Sequence, residues 1–180
     1  MKIWFSADHH FGHRNILKYC NRPFATIQEM DEALVSEWNS VVRPEDSVFH
    51  LGDLSFKSSP QVAELFKQLN GWIRVLGNPW HHDARWQKIS EFRGTILPPL
   101  VVLEGNKLGI QAPCIVLCHY PFAEWDRKRY GSYHLHGHCH NGYSGNGLIM
   151  DVGVDHAASL GLGYRPFSLD EVLTFMLARP

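Results

Sequence analysis

The 180-residue chain has no surplus of either charge. Lys and Arg number 17 against 18 Asp and Glu, a formal net charge of −1. A protein that wraps a polyanion needs a basic surface to displace counterions, so this balance argues against a general nucleic-acid binder. Arg127-Lys128-Arg129 is a local basic cluster, readable as a solvated loop or as a substrate contact. Long hydrophobic runs are missing too. No stretch approaches the roughly 20 apolar residues of a membrane span. The opening run Ile3-Trp4-Phe5 is too short for a signal peptide. The expectation is a soluble, cytoplasmic protein with no membrane partner and no clear nucleic-acid or protein partner. The four cysteines, Cys20, Cys114, Cys118 and Cys139, then stay reduced. No second Cys pair completes a structural zinc site around Cys114 and Cys118. Repeats, low-complexity tracts and long linkers are also lacking.

What is present is enough for a core. The composition is 44% hydrophobic, and the length fits one domain, residues 1–180. Short apolar runs bounded by Gly, Pro or polar residues read as strands near 2–6, 47–51, 72–76, 95–97, 99–104, 107–111, 114–118, 133–136 and 148–152. Glu104-Gly105-Asn106-Lys107 looks like a hairpin turn. Thr26-Ile27-Gln28-Glu29 is a capping box opening a helix whose apolar positions are Ile27, Met30, Leu34, Trp38 and Val41. Ser59-Pro60 starts a second helix with a Val62, Leu65, Phe66, Leu69 stripe, stopped by Asn70-Gly71. A third helix is expected over Ala84 to Glu91. Ser168-Leu169-Asp170-Glu171 caps a last one, running through Leu177. The first half alternates strand and helix, and the second is mostly strands. Two face-to-face sheets with helices outside satisfy both.

The segment His134-Leu135-His136-Gly137-His138-Cys139-His140 places a histidine at every second position. In an extended chain these share one face. Imidazoles gathered beside a glycine suit a metal site. Other candidate ligands each follow an apolar run: Asp8-His9-His10, Gly52-Asp53, Gly77-Asn78 and His119-Tyr120-Pro121. Ligands at the carboxyl ends of several strands converge on one rim, where open α/β folds bind ligands. Asp8, His10, Asp53, Asn78, His119, His138 and His140 exceed the needs of one ion. Two ions sharing a carboxylate use such a set naturally. Carboxylate and imidazole together suit manganese, iron, zinc, nickel or cobalt better than calcium.

These motifs, in this order, resemble the calcineurin-like metallophosphoesterase family, whose pattern is DxH, GD, GNH followed by an acidic residue, H, and GHxH. The chain is most similar to the small phage and bacterial members, through Ala7-Asp8-His9-His10-Phe11-Gly12-His13-Arg14-Asn15-Ile16, then Val152-Gly153-Val154-Asp155 and Tyr164-Arg165-Pro166. The resemblance implies a four-layer α/β/β/α sandwich of two mixed sheets flanked by helices. It implies that Asp8, His10 and His140 bind a first divalent metal, that Asn78, His119 and His138 bind a second, and that Asp53 bridges them. Manganese is the foremost candidate for both ions. The implied reaction is hydrolysis of a small phosphodiester or phosphomonoester, a nucleotide among the candidates, by a metal-bridging hydroxide. The alternatives are a nuclease on the same fold and a catalytically weakened metal- or protein-binding scaffold. The complete ligand set argues against the scaffold.

One segment departs from the pattern. Gly77-Asn78-Pro79-Trp80-His81-His82-Asp83 is two residues longer than the family motif. In one alignment Asn78 is the ligand, and His82 or else His81 protonates the leaving group with Asp83 orienting it. In another His81 is the ligand and His82 the acid. In a third the acid is absent. His13 and Asn15 beyond the first ligands read as local hydrogen bonding or as contacts that orient a ligand or phosphate. His50 is expected inside the sheet, and neither His134 nor His136 is expected as a ligand. Tyr120 and Phe122 are candidates to wall the site. Trp80, Trp86 and Trp125 read as packing or as stacking surfaces for a base.

Overall fold

Period-2 side-chain alternation gives each strand two faces to bury, and this chain uses both. In the computed structural model, which describes residues 1–78, 83, 86, 94–143 and 145–179, β1 (Ile3–Ser6), β2 (Ser47–His50), β3 (Trp72–Leu76) and β4 (Gly94–Leu97) pair in parallel. β9 (Phe167–Ser168) adds antiparallel to β1, giving the order β4-β3-β2-β1-β9. The second sheet has the order β5-β6-β7-β8, from Leu100–Glu104, Cys114–Cys118, Tyr133–His136 and Ile149–Asp151. β5 runs antiparallel to β6, and the remaining pairs are parallel. Both sheets are therefore mixed, as expected of the sandwich.

One face of the first sheet, through Trp4, Val48, Ile73 and Val75, packs with Met30, Leu34 and Trp38 of α2 (Ile27–Val41) and Val62, Leu65 and Phe66 of α3 (Ser59–Gln68). The opposite face, through Phe5, Phe49, Leu51 and Leu76, meets Ile115, Leu117, Leu135 and Met150 of the second sheet. Val172 and Met176 of α6 (Leu169–Leu177) join that inner core. Outside the second sheet, Cys114, Val116 and Ile149 lie under Trp125 and Phe122 from the 119–132 segment, which carries a 3-10 turn at Lys128–Tyr130. Each fully buried Leu, Ile or Phe contributes roughly 1.5–3 kcal/mol.

The capping signals act as read. Thr26 Oγ1 accepts from Glu29 N at 3.1 Å, and Glu29 reaches back one residue further than expected, to Ala25 N at 2.9 Å. Ser168 and Glu171 form the reciprocal pair at the start of α6. The strand expected over 107–111 is not there. Instead α4 (Gly105–Leu108) makes one helical turn, capped by left-handed Gly109 (φ 69°). Gly105 permits it, since a Cβ there would stand 1.8 Å from Ala112 O. α1 (Ile16–Tyr19), α5 (Val154–Ser159) and β9 were not anticipated; all three are shorter than a periodicity can mark. The helix expected over 84–91 falls, apart from Trp86, outside the described residues. No described helix is long and apolar enough to cross a membrane.

Candidate metal centre

The loops leaving β1 and β2 run side by side beyond the sheet. Asp8 N donates to Gly52 O at 3.1 Å, His10 N to Asp53 O at 3.0 Å and Phe11 N to Leu54 O at 2.9 Å. This brings Asp8, His10 and Asp53 together. In the second sheet Gly137 N donates to His119 O at 3.0 Å, joining the loops after β6 and β7. His138 N donates to Asp8 Oδ2 at 2.8 Å, so the two rims meet.

The expected ligand atoms fall into two groups, Asp8/His10/His140 and Asp53/His119/His138, each mutually within 4.8 Å, and Cys20, His140 and Asp155 form a third cluster of the same kind. Asp53 lies between them: Oδ2 is 3.4 Å from His10 Nε2, and Oδ1 is 3.7 Å from His119 Nε2. His119 Nδ1 stands 4.0 Å from Asp8 Oδ1. Asn78, at the carboxyl end of β3, lines a cavity shared with His119. Six of the seven expected ligands are thus gathered by measured proximity, and Asn78 adjoins them. His81 and His82 lie outside the described residues.

Backbone conformation singles out the same residues. Asp8 (φ 61°), His10 (55°), Asp53 (55°), His138 (69°) and His140 (45°) are left-handed, and they make up five of the eight described non-glycine residues with positive φ. Each such residue costs on the order of 1–3 kcal/mol, a strain that gathers at functional sites. Close approach is enforced by glycine. A Cβ at Gly52 would lie 2.9 Å from His119 Nδ1, and one at Gly153 would lie 2.6 Å from Asp8 Oδ2.

Burial dominates the electrostatics. It pushes the Asp8 carboxyl well above its usual range; the charges of Asp151 and Asp53 add to this and His140 opposes it. Burial lowers His10 to about 2. Asp8 Oδ1 is buried with no hydrogen-bond partner among the described residues. Acidic oxygens and imidazole nitrogens facing one small space suit a divalent cation, whose charge inverts the penalty on the buried carboxylate.

Sequence reasoning missed the supports. Arg22 is buried, donating to Asp8 O at 2.7 Å and His9 O at 2.8 Å while pairing with Asp155. Asp155 in turn accepts from His140 Nδ1 at 2.6 Å. Burial works against both charges, yet this hydrogen bond, helped by Cys20 and Asp8, lifts His140 to about 10. With Arg22 it holds Asp155 near 2. Asp155 stood in the resemblance without a role, and Arg22 carried no signal. His13 Nδ1 lies 3.3 Å from His10 Nδ1 and its ring stacks on Phe56, so it orients the His10 ring. The Asp151 carboxylate accepts from Gly153 N at 2.7 Å and Asn141 N at 3.0 Å, fixing the loop beside His140. Asp83 accepts from Leu54 N at 3.0 Å and Ser55 N at 3.1 Å, which holds its carboxylate against the Asp53 loop.

The four alternating histidines do not share one face. β7 ends at His136, and the left-handed turns at His138 and His140 break the alternation. His134 bonds Val116 O and Phe122 N at 3.0 Å each and stacks on Phe122. Phe122 is therefore packing, whereas Tyr120 lies edge-on to His119 and His138. His50 is buried against His9 at 2.9 Å. Trp86 packs on Phe66, and Trp125 lies outside the second sheet, so neither is an open stacking surface. Trp80 lies outside the described residues. Arg127 forks onto Glu104, and Lys128 covers Trp125, so these two cations hold the outer segment.

No protein-family model matches the chain. An uncharacterized protein of Methanocaldococcus jannaschii is 44% identical over 98 residues, 52% of this chain and 54% of that protein. The match thus spans about half the length of that relative. The Gene 66 proteins of Mycobacterium phages L5 and D29 are 28% and 27% identical over 167 residues, 77% of this chain and 77% and 78% of theirs. A crystal structure of a protein of unknown function from Aquifex aeolicus superposes with a TM-score of 0.71 at 20% identity, covering 97% of this chain and 98% of that one, a likeness of fold.

Proposed function

We propose that the chain is a dinuclear metal-dependent phosphoesterase, a hydrolase of small phosphodiesters or phosphomonoesters related to the calcineurin-like metallophosphoesterases. The observation that carries this reading is the position of Asp53, with one carboxylate oxygen toward each group of ligand atoms. A bridging carboxylate at the meeting of two three-residue groups suits two ions, with manganese foremost and iron, zinc, nickel or cobalt as alternatives.

Asp8, His10 and His140 would hold one ion, and His119, His138 and Asn78 the other. When bound, such a pair activates water near neutral pH and neutralises charge on a phosphoryl group. The chain's own residues keep the geometry. Asp155 accepts the Nδ1 proton of His140, leaving Nε2 as the donor atom, and His13 does comparable work beside His10. His82 is the proposed leaving-group acid and His81 the alternative, since both precede Asp83, which is tied to the Asp53 loop. A cytoplasmic setting belongs to this reading, supported by four cysteines that are all free.

The test is hydrolysis of nitrophenyl phosphate esters by manganese-reconstituted protein. Asp53→Asn is expected to abolish turnover with loss of both ions. His134→Ala is expected to keep the ions and lose about 1–3 kcal/mol of stability through its broken buried hydrogen bonds. Equal loss of metal in both variants would contradict the assignment.

A further inference from the structure

A cavity of about 300 Å³ opens beside the Asp53/His119/His138 group. Its floor and sides are Leu51, Leu76, Pro99 and Cys118, and Tyr120 forms a wall. Leu51 follows the end of β2 and Leu76 ends the adjacent β3, while Pro99, Cys118 and Tyr120 come from the second sheet's side. The cavity is therefore the mouth of the cleft between the sheets. His119 and Asn78 stand where it meets the ligand cluster. Tyr120 is 41% exposed. Its ring is edge-on to His119 at 4.9 Å and to His138 at 4.7 Å, so the wall is continuous with the metal ligands.

We infer that this cavity receives the organic group of the phosphoester, and that the group it fits is uncharged, mainly apolar and about one ring in size. The inference rests on the phosphoesterase reading, which places the phosphoryl group among the ligands. The described lining is mainly apolar, through Leu51, Leu76 and Pro99, and such a surface favours an uncharged group, since a charge loses more on leaving water. An apolar ring gains by leaving water for such a surface, and Tyr120 offers it an edge or a face. Among the described lining residues outside the proposed ligands, the polar edge of a nucleobase would meet chiefly the Tyr120 hydroxyl. Pockets of this size, with few polar groups at one end, are typical small-ligand sites. Tyr120 is thus a specificity residue.

The test uses binding rather than turnover, with non-hydrolysable probes. Phenylphosphonate and methylphosphonate are titrated calorimetrically into the manganese-loaded full chain and into its Tyr120→Ala variant, with metal content measured in both. The expected result is about tenfold tighter binding of the phenyl probe to the natural protein, and a ratio within about twofold of one in the variant. Equal affinity of the two probes for the natural protein would overturn the cavity assignment while leaving the phosphoesterase reading intact. A phenyl preference that persists in Tyr120→Ala would also overturn it. Failure of both probes to bind would overturn the phosphoesterase reading and this inference with it.

Discussion

Arg22 and Asp155, 133 residues apart, form a two-pronged buried ion pair, with Nε to Oδ1 and Nη2 to Oδ2 both at 2.8 Å. The same guanidinium holds the Asp8 and His9 carbonyls, and the same carboxylate holds His140. One pair therefore fixes both ends of the Asp8/His10/His140 group. Asp155→Ala is expected to lower metal affinity there by about 10–100-fold, as loss of an orienting partner does. It should also cost about 3–5 kcal/mol of folding stability, because Arg22 remains buried and unpaired. Metal titration and urea denaturation measure the two effects. Affinity unchanged within about twofold would separate Asp155 from the site.

His82 is the proposed donor of the leaving-group proton. Loss of general acid help is worth about 10²–10⁴-fold and matters least when the leaving group is already good. His82→Ala should therefore slow an alkyl phosphate ester far more than a nitrophenyl ester, with metal content retained. Equal losses on both esters would remove His82 from this role, and loss of an ion in His81→Ala would favour the alignment in which His81 is the ligand.

The parts of this design that could be read beforehand are those with a short-range cause. Thr26 and Glu29, Ser168 and Glu171, and the apolar stripe Met30, Leu34, Trp38 each act within a few residues, and the helices start where they indicate. The motifs at Asp8, Asp53, His119, His138 and His140 were legible because each follows a strand. Their convergence on one rim was legible too, whereas the left-handed turns just past the strand ends that complete it were not. Alternation in His134 to His140 misled for that reason: Gly137 ends the extended chain. The 107–111 strand failed because Leu108 and Ile110 alternate within a loop that Gly105 and Gly109 turn back. Arg22 was invisible, since its partners are two backbone carbonyls and a residue 133 positions away.

Acid stability has a local source away from the metal centre. Burial opposes the Glu171 charge, but Arg165 and the Ser168 backbone and hydroxyl outweigh it, lowering Glu171 from 4.5 to about 2. A folded-state pKa below the unfolded one gives stability that is present above pH ~4.5 and lost as pH falls toward ~2. Glu171→Gln should therefore differ from the natural protein at pH 6, and the gap should close only as pH falls through ~2, where the folded-state carboxyl protonates as well. Chemical denaturation across that range measures the gap. A gap that stays constant across it would deny the ionised cap a role.

The central claim is that two ions sit where the Asp8 and Asp53 groups meet. Elemental analysis of manganese-reconstituted, desalted protein tests it most directly, with His119→Ala and His10→Ala alongside. The account predicts close to two equivalents per chain and about one in each variant. A firm value of one in the natural protein, unchanged by His119→Ala, would contradict it.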